Sequence, residues 1–489
     1  MKTKQKSVKV NMIMNALLSM SAFLFPLITF PYVSRILLPI GTGKVGFATS
    51  VVTYFAMFAQ LGIPTYGVKE CAKVRDDKEA LSRVVHELVA INLIMSAIVY
   101  TVFAVALITV SKFRQERELL LIISATILLN AIGVEWLYKA LEQYSYITIR
   151  SLIFKLIAVC GMFFLVREKS DYVQYGFLTI FASSASNVLN FINLRKYIYF
   201  KPVGKYNLRR HIKMILVFFS MSVATTIYTN LDNVMLGFMK TNEDVGYYTA
   251  AVKIKNILVS VVTSASTVLL PRASYYIEKE MFEEFKRILK KTMHFIVLAA
   301  VPFAVYFIMY AKEGIFFLSG NAYGGAIIPM QIIMPTLILI GITNVIGIQM
   351  MVPIGREKQV LYSEIAGAVV DLGLNLILIP QYAAAGAAIG TLVAEMVVLI
   401  WQLFAIRDLR IGIFEQVPFI KILLGVVCGI VASVWVMFAG LGIFVTLVVS
   451  AACFFGVYAI VLILTKDAIA LETFKLITKT FPVSYTHLR

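Results

Sequence analysis

Fourteen apolar stretches, each close to the ~20 residues a helix needs to cross a hydrocarbon core of ~30 Å, take up most of this 489-residue chain. They cover residues 11–33, 45–66, 85–110, 118–138, 147–166, 172–194, 211–237, 246–271, 292–310, 327–350, 358–379, 383–405, 417–438 and 441–465. Inside a bilayer the backbone must satisfy its own hydrogen bonds, so such stretches are helices. The pattern predicts an all-α integral membrane protein with about 14 transmembrane helices. Composition agrees: the chain is 60% hydrophobic and 15% charged, with a mean hydropathy of +0.84, whereas soluble domains carry about 25% charged residues. A disordered chain, a collagen, a disulfide-knit secreted module and a multidomain soluble enzyme do not fit.

Lys and Arg number 45 against 27 Asp and Glu, a net charge of +18. In a soluble protein that excess would suggest nucleic acid. With the N-terminus placed in the cytoplasm, 33 of the 45 fall in the tails, the inner loops and the first few residues of spans entered from the inner side, and 9 in outer segments. Lys155, Lys253 and Lys255 lie within spans. This is the positive-inside distribution, so the charge is topological and no nucleic-acid partner is expected. An even number of spans puts both termini in the cytoplasm. Lys2, Lys4, Lys6 and Lys9 before the first span look like the start of a signal peptide. No small-x-small cleavage site follows, and the expectation is a retained first helix.

The inner connection 195–210, with Pro202 and Gly204, is the candidate boundary between two bundles. That gives an N-terminal lobe 1–205 (spans 1–6), a C-terminal lobe 206–410 (spans 7–12) and a region 411–489 with an extra helix pair (spans 13 and 14) and a tail. The other long inner connection, 272–291, is amphipathic over 277–291, with Phe282, Phe285, Ile288 and Leu289 at helical spacing, and predicts a helix lying in the membrane interface. An internal repeat supports the two halves. Val45-Gly46-Phe47-x-Thr49 matches Val245-Gly246-Tyr247-x-Thr249, and Asn130-x-Ile132-Gly133-Val134-Glu135 matches Asn344-x-Ile346-Gly347-Ile348-Gln349. Both matches pair helices six spans apart, which makes two parallel six-helix repeats, a transporter design.

Ionisable groups within hydrocarbon cost roughly 2.5–3.5 kcal/mol on insertion scales and face a bundle interior or a wet cavity. Here they are Glu135, Lys155, Asp232, Lys253, Lys255, Glu364, Asp371 and Glu395, with Arg35 and Arg150 near span ends. Two roles stand open for each: pairing between helices, as Lys155 with Asp371, or lining a cavity. Span 7 carries Ser222, Thr225, Thr229 and Asp232 at steps of 3, 4 and 3, one helical face. Span 1 repeats this more weakly with Asn11, Asn15 and Ser19, and its Pro26 and Pro31 are expected to break its outer end. Lys253 and Lys255 are about 200° apart on a helix, so only one of them points into an interior. Buried carboxylates at Glu135, Asp232, Asp371 and Glu395 are candidates for ion or proton coupling.

Cys71, Cys160, Cys428 and Cys453 form no CxxC, and the histidines His86, His211, His294 and His487 are scattered. No nucleotide loop, HExxH or other cofactor motif is present, so no cofactor and no metal are expected. The outer loops are too short for a catalytic domain, which disfavours a membrane glycosyltransferase or polymerase and makes a non-enzyme the expectation.

Several segments resemble polysaccharide repeat-unit flippases of the multidrug/oligosaccharidyl-lipid/polysaccharide exporter superfamily. They are Pro26-x-x-x-x-Pro31-Tyr32-Val33-Ser34-Arg35-Ile36-Leu37, Gly62-Ile63-Pro64-x-Tyr66-Gly67, Glu135-Trp136-Leu137-Tyr138, Asp232-Asn233-x-Met235-Leu236-Gly237 and Gly246-Tyr247-Tyr248-x-Ala250-Ala251-x-Lys253-Ile254. The family pattern continues Leu-Gly where this chain has Leu38-Pro39-Ile40-Gly41. The resemblance implies two lobes around a central cavity open alternately to each side. It also implies an undecaprenyl-diphosphate-linked oligosaccharide substrate, moved to the outer leaflet of the bacterial cytoplasmic membrane for capsule, O-antigen or exopolysaccharide synthesis. Arg35, Arg150, Lys155 and Lys253 or Lys255 suit its diphosphate, and Thr229, Asp232 and Asn233 line the same path. Membrane lipids, a polysaccharide polymerase and a chain-length regulator are the implied partners. A lipid II flippase is an alternative. A multidrug or organic-cation exporter is another, and the buried lysines weigh against it.

Overall fold

The computed structural model describes residues 8–267, 269–409 and 411–472. Lys2, Lys4 and Lys6 of the basic start and residues 483–489 lie outside the described residues. Every regular element among the described residues is helical. In order the α-helices are α1 (Val8–Gln60), α2 (Ile63–Lys73), α3 (Lys78–Thr109), α4 (Ser111–Gln115), α5 (Arg117–Gly133), α6 (Glu135–Ala140), α7 (Tyr144–Leu165), α8 (Tyr172–Ile180) and α9 (Asn187–Asn193). There follow α10 (Arg209–Met239), α11 (Asn242–Thr267), α12 (Leu270–Glu278), α13 (Phe282–Met309), α14 (Ala311–Ser319), α15 (Ile327–Ile333), α16 (Thr336–Thr343), α17 (Glu357–Ala405), α18 (Phe419–Ser433) and α19 (Ile443–Leu464).

Ten of the described helical stretches are long and apolar enough to cross a membrane. There are eleven if the pair Asn321–Ile333 and Thr336–Met351, bent by 45°, is one crossing. The apolar stretches and the helices therefore do not correspond one to one. At 1.5 Å per residue the 53 residues of α1 would run ~80 Å and the 49 of α17 ~74 Å, each more than twice the hydrocarbon thickness. Both are broken. Leu38 in α1 has φ 58° and ψ 179°, immediately before Pro39, which supplies no N–H to continue the ladder and crowds the residue preceding it. Ala383 in α17 has φ 49° and ψ −126°, three residues after Pro380. Gly386 lets the second leg turn back tightly, since a Cβ there would lie 2.4 Å from the Leu378 carbonyl oxygen. Pro26 and Pro31 do not break α1 as expected. The helix runs through both, because each proline costs one hydrogen bond and the next turn can carry on.

The chain divides into two compact units. The first holds residues up to Ala250 together with Leu372–Ala387. Its core gathers Ile63, Leu88, Trp136, Leu137, Tyr138 and Ile147, all buried. The phenol of Tyr138, fully enclosed, donates to the Asn190 carbonyl at 2.6 Å, which removes the cost of a bare hydroxyl in an apolar core. The Thr148 hydroxyl reaches the Met14 carbonyl at 2.9 Å and Tyr32 the Val166 carbonyl at 2.9 Å, tying α7 and its end to α1.

The second unit holds Ala251–Asp371 and the residues from Ala388 onward. Three tyrosines fasten the last helix pair to α13 and within the unit. Tyr306 donates to the Leu447 carbonyl at 3.0 Å, Tyr310 to the Ser433 carbonyl at 2.7 Å and Tyr458 to the Leu298 carbonyl at 2.8 Å. Gly425 and Gly429 lie against Tyr458 and Phe454, the close approach that small residues permit between membrane helices. The segment expected to lie in the membrane interface does not form a separate helix. Glu280 takes φ 56° and ends the preceding turn, and 282–291 is the start of the long α13. Phe285 and Leu289 are buried in protein, and Phe282 is exposed. Phe285 and Leu289 thus pack on helices of their own unit, while Phe282 stays uncovered.

Candidate substrate and coupling site

In α10 the polar stripe keeps its helical face, but its hydroxyls turn inward on the helix. Ser222 donates to the Phe218 carbonyl at 3.1 Å and Thr229 to the Thr225 carbonyl at 2.9 Å, the back-bonding of hydroxyls in apolar surroundings. What the stripe presents to neighbours is its acidic and amide end. Asp232 is 7% exposed. It accepts from the Tyr248 hydroxyl on α11 and from Asn375 Nδ2 on α17 at 2.6 Å. The next residue, Asn233, donates to Ser50 at 3.3 Å and accepts from Thr249 at 3.3 Å. Three helices thus converge on Asp232-Asn233 inside the first unit. The engagement of Asn375 with Asp232 was not legible in the sequence. Tyr248 lies within a segment that the sequence had singled out, without a role.

A second cluster surrounds Arg150 of α7, which is 5% exposed. Its Nη1 donates to Asn187 Oδ1 at 3.1 Å and its Nη2 lies 3.5 Å from Glu135 Oε2. Glu135 also holds Lys139 at 2.9 Å, and Asn187 donates to Asn130 at 3.0 Å. Glu135 opens α6 directly after Val134, which is left-handed at φ 38° and ψ 38°. The carboxylate therefore sits at a helix break between α5 and α6. The matching repeat segment, Asn344–Met351, is a π-helix. Both copies of the repeated sequence thus depart from regular α geometry, as π-bulges and breaks at functional positions do. Lys155, one turn and a half beyond Arg150, is half-buried and donates to Ser21 of α1 at 2.7 Å. The partner offered from the sequence was Asp371, and the serine was not foreseen.

Arg35 is exposed, and its guanidinium donates to the Pro31 carbonyl one turn back on α1. Lys253 and Lys255 are both half-buried in the second unit. Asp371 is 1% exposed and Glu395 6% exposed, also in that unit. Among the described residues no group of three or more His, Cys, Asp or Glu side chains could hold a metal ion.

At the other end of α1's second half, glycines bring backbones together. A Cβ on Gly43 would fall 1.7 Å from the Asn242 carbonyl oxygen, and one on Gly246 2.1 Å from the Pro39 carbonyl oxygen. Gly46 and Gly246, the glycines of the first repeat match, both lie on this crossing of α1 with α11, where Gly46 faces Thr249. Lys44 pairs with Glu116 at 3.2 Å, Asn242 donates to the same carboxylate at 3.1 Å, and Lys112 donates to Asn242 at 2.9 Å.

Many apolar helices with buried carboxylates, amides and cations inside them define a multi-pass membrane protein with a transporter's interior. The chain belongs to the polysaccharide biosynthesis protein family, whose description matches residues 8–277. It is 26% identical over 415 residues to a protein of Escherichia coli (strain K12) named "Putative O-antigen transporter", covering 83% of this chain and 99% of that one. A protein of the same name from Shigella dysenteriae is 23% identical and is covered over its full length. Among solved structures the fold is shared with a lipid II flippase, MurJ, in an inward closed conformation. That match has a TM-score of 0.67 at 17% identity and covers 94% of this chain and 99% of that one. An inward-facing multidrug transporter of the MATE family has a TM-score of 0.59 at 16% identity, over 82% and 99% of the two chains.

Proposed function

We propose that this protein is a flippase that carries an undecaprenyl-diphosphate-linked oligosaccharide from the inner to the outer leaflet of the cytoplasmic membrane by alternating access. The observation that carries this reading is the likeness, over nearly the full length of the relatives, to proteins named as O-antigen transporters. The chemistry supports it. A lipid diphosphate cannot cross hydrocarbon with its charges unpaired, and this chain places cations within its spans. Arg35, Lys155 and one of Lys253 and Lys255 meet the diphosphate in this reading. Arg150, engaged with Glu135 and Asn187, contributes through that pair. Thr229, Asp232 and Asn233 face the sugar. Asp232, held by Tyr248 and Asn375, is the leading coupling group, with Glu135, Asp371 and Glu395 as further ones. No bond is made or broken, so the protein acts without catalysis, beside a polymerase and a chain-length regulator.

The topology of this reading has fourteen crossings and both termini in the cytoplasm. α1 and α17 each contribute two crossings and α5 with α6 one, in lobes 1–205 and 206–410 with the pair 411–489 added. In a chain whose native cysteines are replaced, Ala439→Cys is expected to react with an impermeant maleimide from outside. Lys205→Cys is expected to react only after permeabilisation, and the reverse pattern excludes this topology.

The direct test is transport by the purified protein in liposomes. Undecaprenyl-diphosphate carrying a short oligosaccharide is expected to become accessible in the opposite leaflet at a rate well above protein-free vesicles. Lipid II, the substrate named for the structural neighbour at 17% identity, serves as the competing probe. Movement of lipid II alone replaces the proposed substrate with the peptidoglycan precursor.

A further inference from the structure

Glu87 of α3 is a carboxylate with a side chain 0% exposed, inside a helix long and apolar enough to span the membrane. Its two oxygens accept four bonds. Oε1 takes the backbone N–H of Asn207 at 2.6 Å. Oε2 takes Arg210 Nε at 3.1 Å, a second N–H of the same guanidinium, and His211 Nε2 at 2.8 Å. Since Nε2 donates, His211 Nδ1 is the acceptor for the Tyr66 hydroxyl at 2.7 Å. His211 is fully buried and Tyr66 5% exposed. The cluster therefore joins α2 (Tyr66), α3 (Glu87) and the first turn of α10 (Arg210, His211). One turn further, α2 and α10 touch through their backbones, because a Cβ on Gly62 would lie 2.4 Å from the Ile215 carbonyl oxygen. The connection leading into α10 is fastened to α3 as well. Tyr199 N donates to Ser82 at 2.9 Å, and His86 Nδ1 lies 3.0 Å from the Tyr206 hydroxyl.

α2 and α3 belong to the first repeat and α10 opens the second. In a protein that works by alternating access, inner ends of the two repeats must part to admit a headgroup from the cytoplasm. Here they are joined by a polar cluster. An apolar seal would expose its surface to water on opening, whereas a carboxylate, a guanidinium, an imidazole and a phenol exchange their bonds for water at little net cost. Arg210 already keeps 43% of its side chain exposed, so water reaches one edge of the cluster. We infer that Tyr66, Glu87, Arg210 and His211 form the latch of the inner gate, made when the inner side is closed and broken when substrate enters. This rests on the flippase reading for what the gate admits.

The test uses the full-length protein with Cys71, Cys160, Cys428 and Cys453 replaced by alanine. Glu87→Cys with Arg210→Cys is joined by a reducible bis-thiol reagent. So is Lys69→Cys with Phe218→Cys, which bridges α2 and α10 beside the cluster, where Lys69 Nζ lies 6.0 Å from the Phe218 ring, and leaves its polar residues intact. In liposomes containing undecaprenyl-diphosphate-linked oligosaccharide, joining either pair is expected to cut movement at least tenfold, with reductant restoring it. Undiminished movement by the joined proteins overturns the latch and leaves the flippase reading standing. Spin labels at 69 and 218, read by pulsed dipolar spectroscopy in the same membranes, are expected to give a short and a longer distance. A single short distance overturns the latch whatever the protein transports, whereas a flippase failure appears only as inactivity of the unmodified protein.

Discussion

Arg35→Ala and Lys253→Ala are each expected to lower polysaccharide export by about 10- to 100-fold in a flippase-null strain, with the protein still inserted at wild-type levels. The magnitude follows from the ~1.5–3 kcal/mol typical of a hydrogen bond to a charged group, at about 1.4 kcal/mol per factor of ten. Neither change opens a core. Arg35 is exposed and Lys253 is half-buried. Arg35→Lys is expected to retain part of the activity, since the diphosphate needs a cation more than a fork. Arg150→Ala is different in kind. It removes the 3.5 Å contact to Glu135, whose side chain is 37% exposed and keeps Lys139, and it leaves the buried Asn187 amide oxygen without its 3.1 Å donor, a loss that costs about 1–3 kcal/mol. It is therefore expected to lower the amount of folded protein as well as export. Full complementation by both Arg35→Ala and Lys253→Ala, scored by surface polysaccharide, removes the cationic path and makes these charges structural.

Gly43→Ala and Gly246→Ala are expected to damage the fold itself. The atoms that an added methyl meets, at 1.7 Å and 2.1 Å, are backbone carbonyl oxygens of Asn242 and Pro39. No rotamer change can clear them, so α1 and α11 must separate, and the Lys44–Glu116–Asn242 network must stretch with them. Overpacking of well-filled sites costs about 1–3 kcal/mol, and a clash with main chain lies at or beyond the upper end. Gly373→Ala supplies the comparison. Nothing lies within 4 Å of a Cβ there, and replacing an exposed helical glycine by alanine gains about 0.8–1.0 kcal/mol of helix propensity. Thermal stability of the detergent-solubilised proteins is expected to rank Gly373→Ala at or above wild type and both other variants clearly below it. Equal stability of Gly43→Ala and Gly373→Ala contradicts the backbone crossing.

The sequence by itself determined that this chain is helical and lives in a membrane, because that follows from a local quantity. About 20 apolar residues in a row have only one way to satisfy their backbone in hydrocarbon. It also determined which residues are unusual. Asp232, Glu135, Arg150 and Lys155 stood out because a charge within an apolar run is costly wherever the run ends up. Where helices bend was harder to read. Pro26 and Pro31 carried the warning and Leu38 made the break, since a proline lowers the cost of a kink while packing decides which one is used. The stripe at 282–289 misled for a related reason. Periodicity reports that a face is apolar and cannot say whether lipid or protein covers it. Partner choice lay entirely with the tertiary structure. Ser21 meets Lys155, Asn375 and Tyr248 meet Asp232, and Glu87 gathers Arg210 and His211 across more than a hundred residues. A hydrogen bond depends on the position of two atoms to within half an ångström. Spacing along one helix fixes the face on which a side chain stands, and only the packing of the other helices decides what stands opposite.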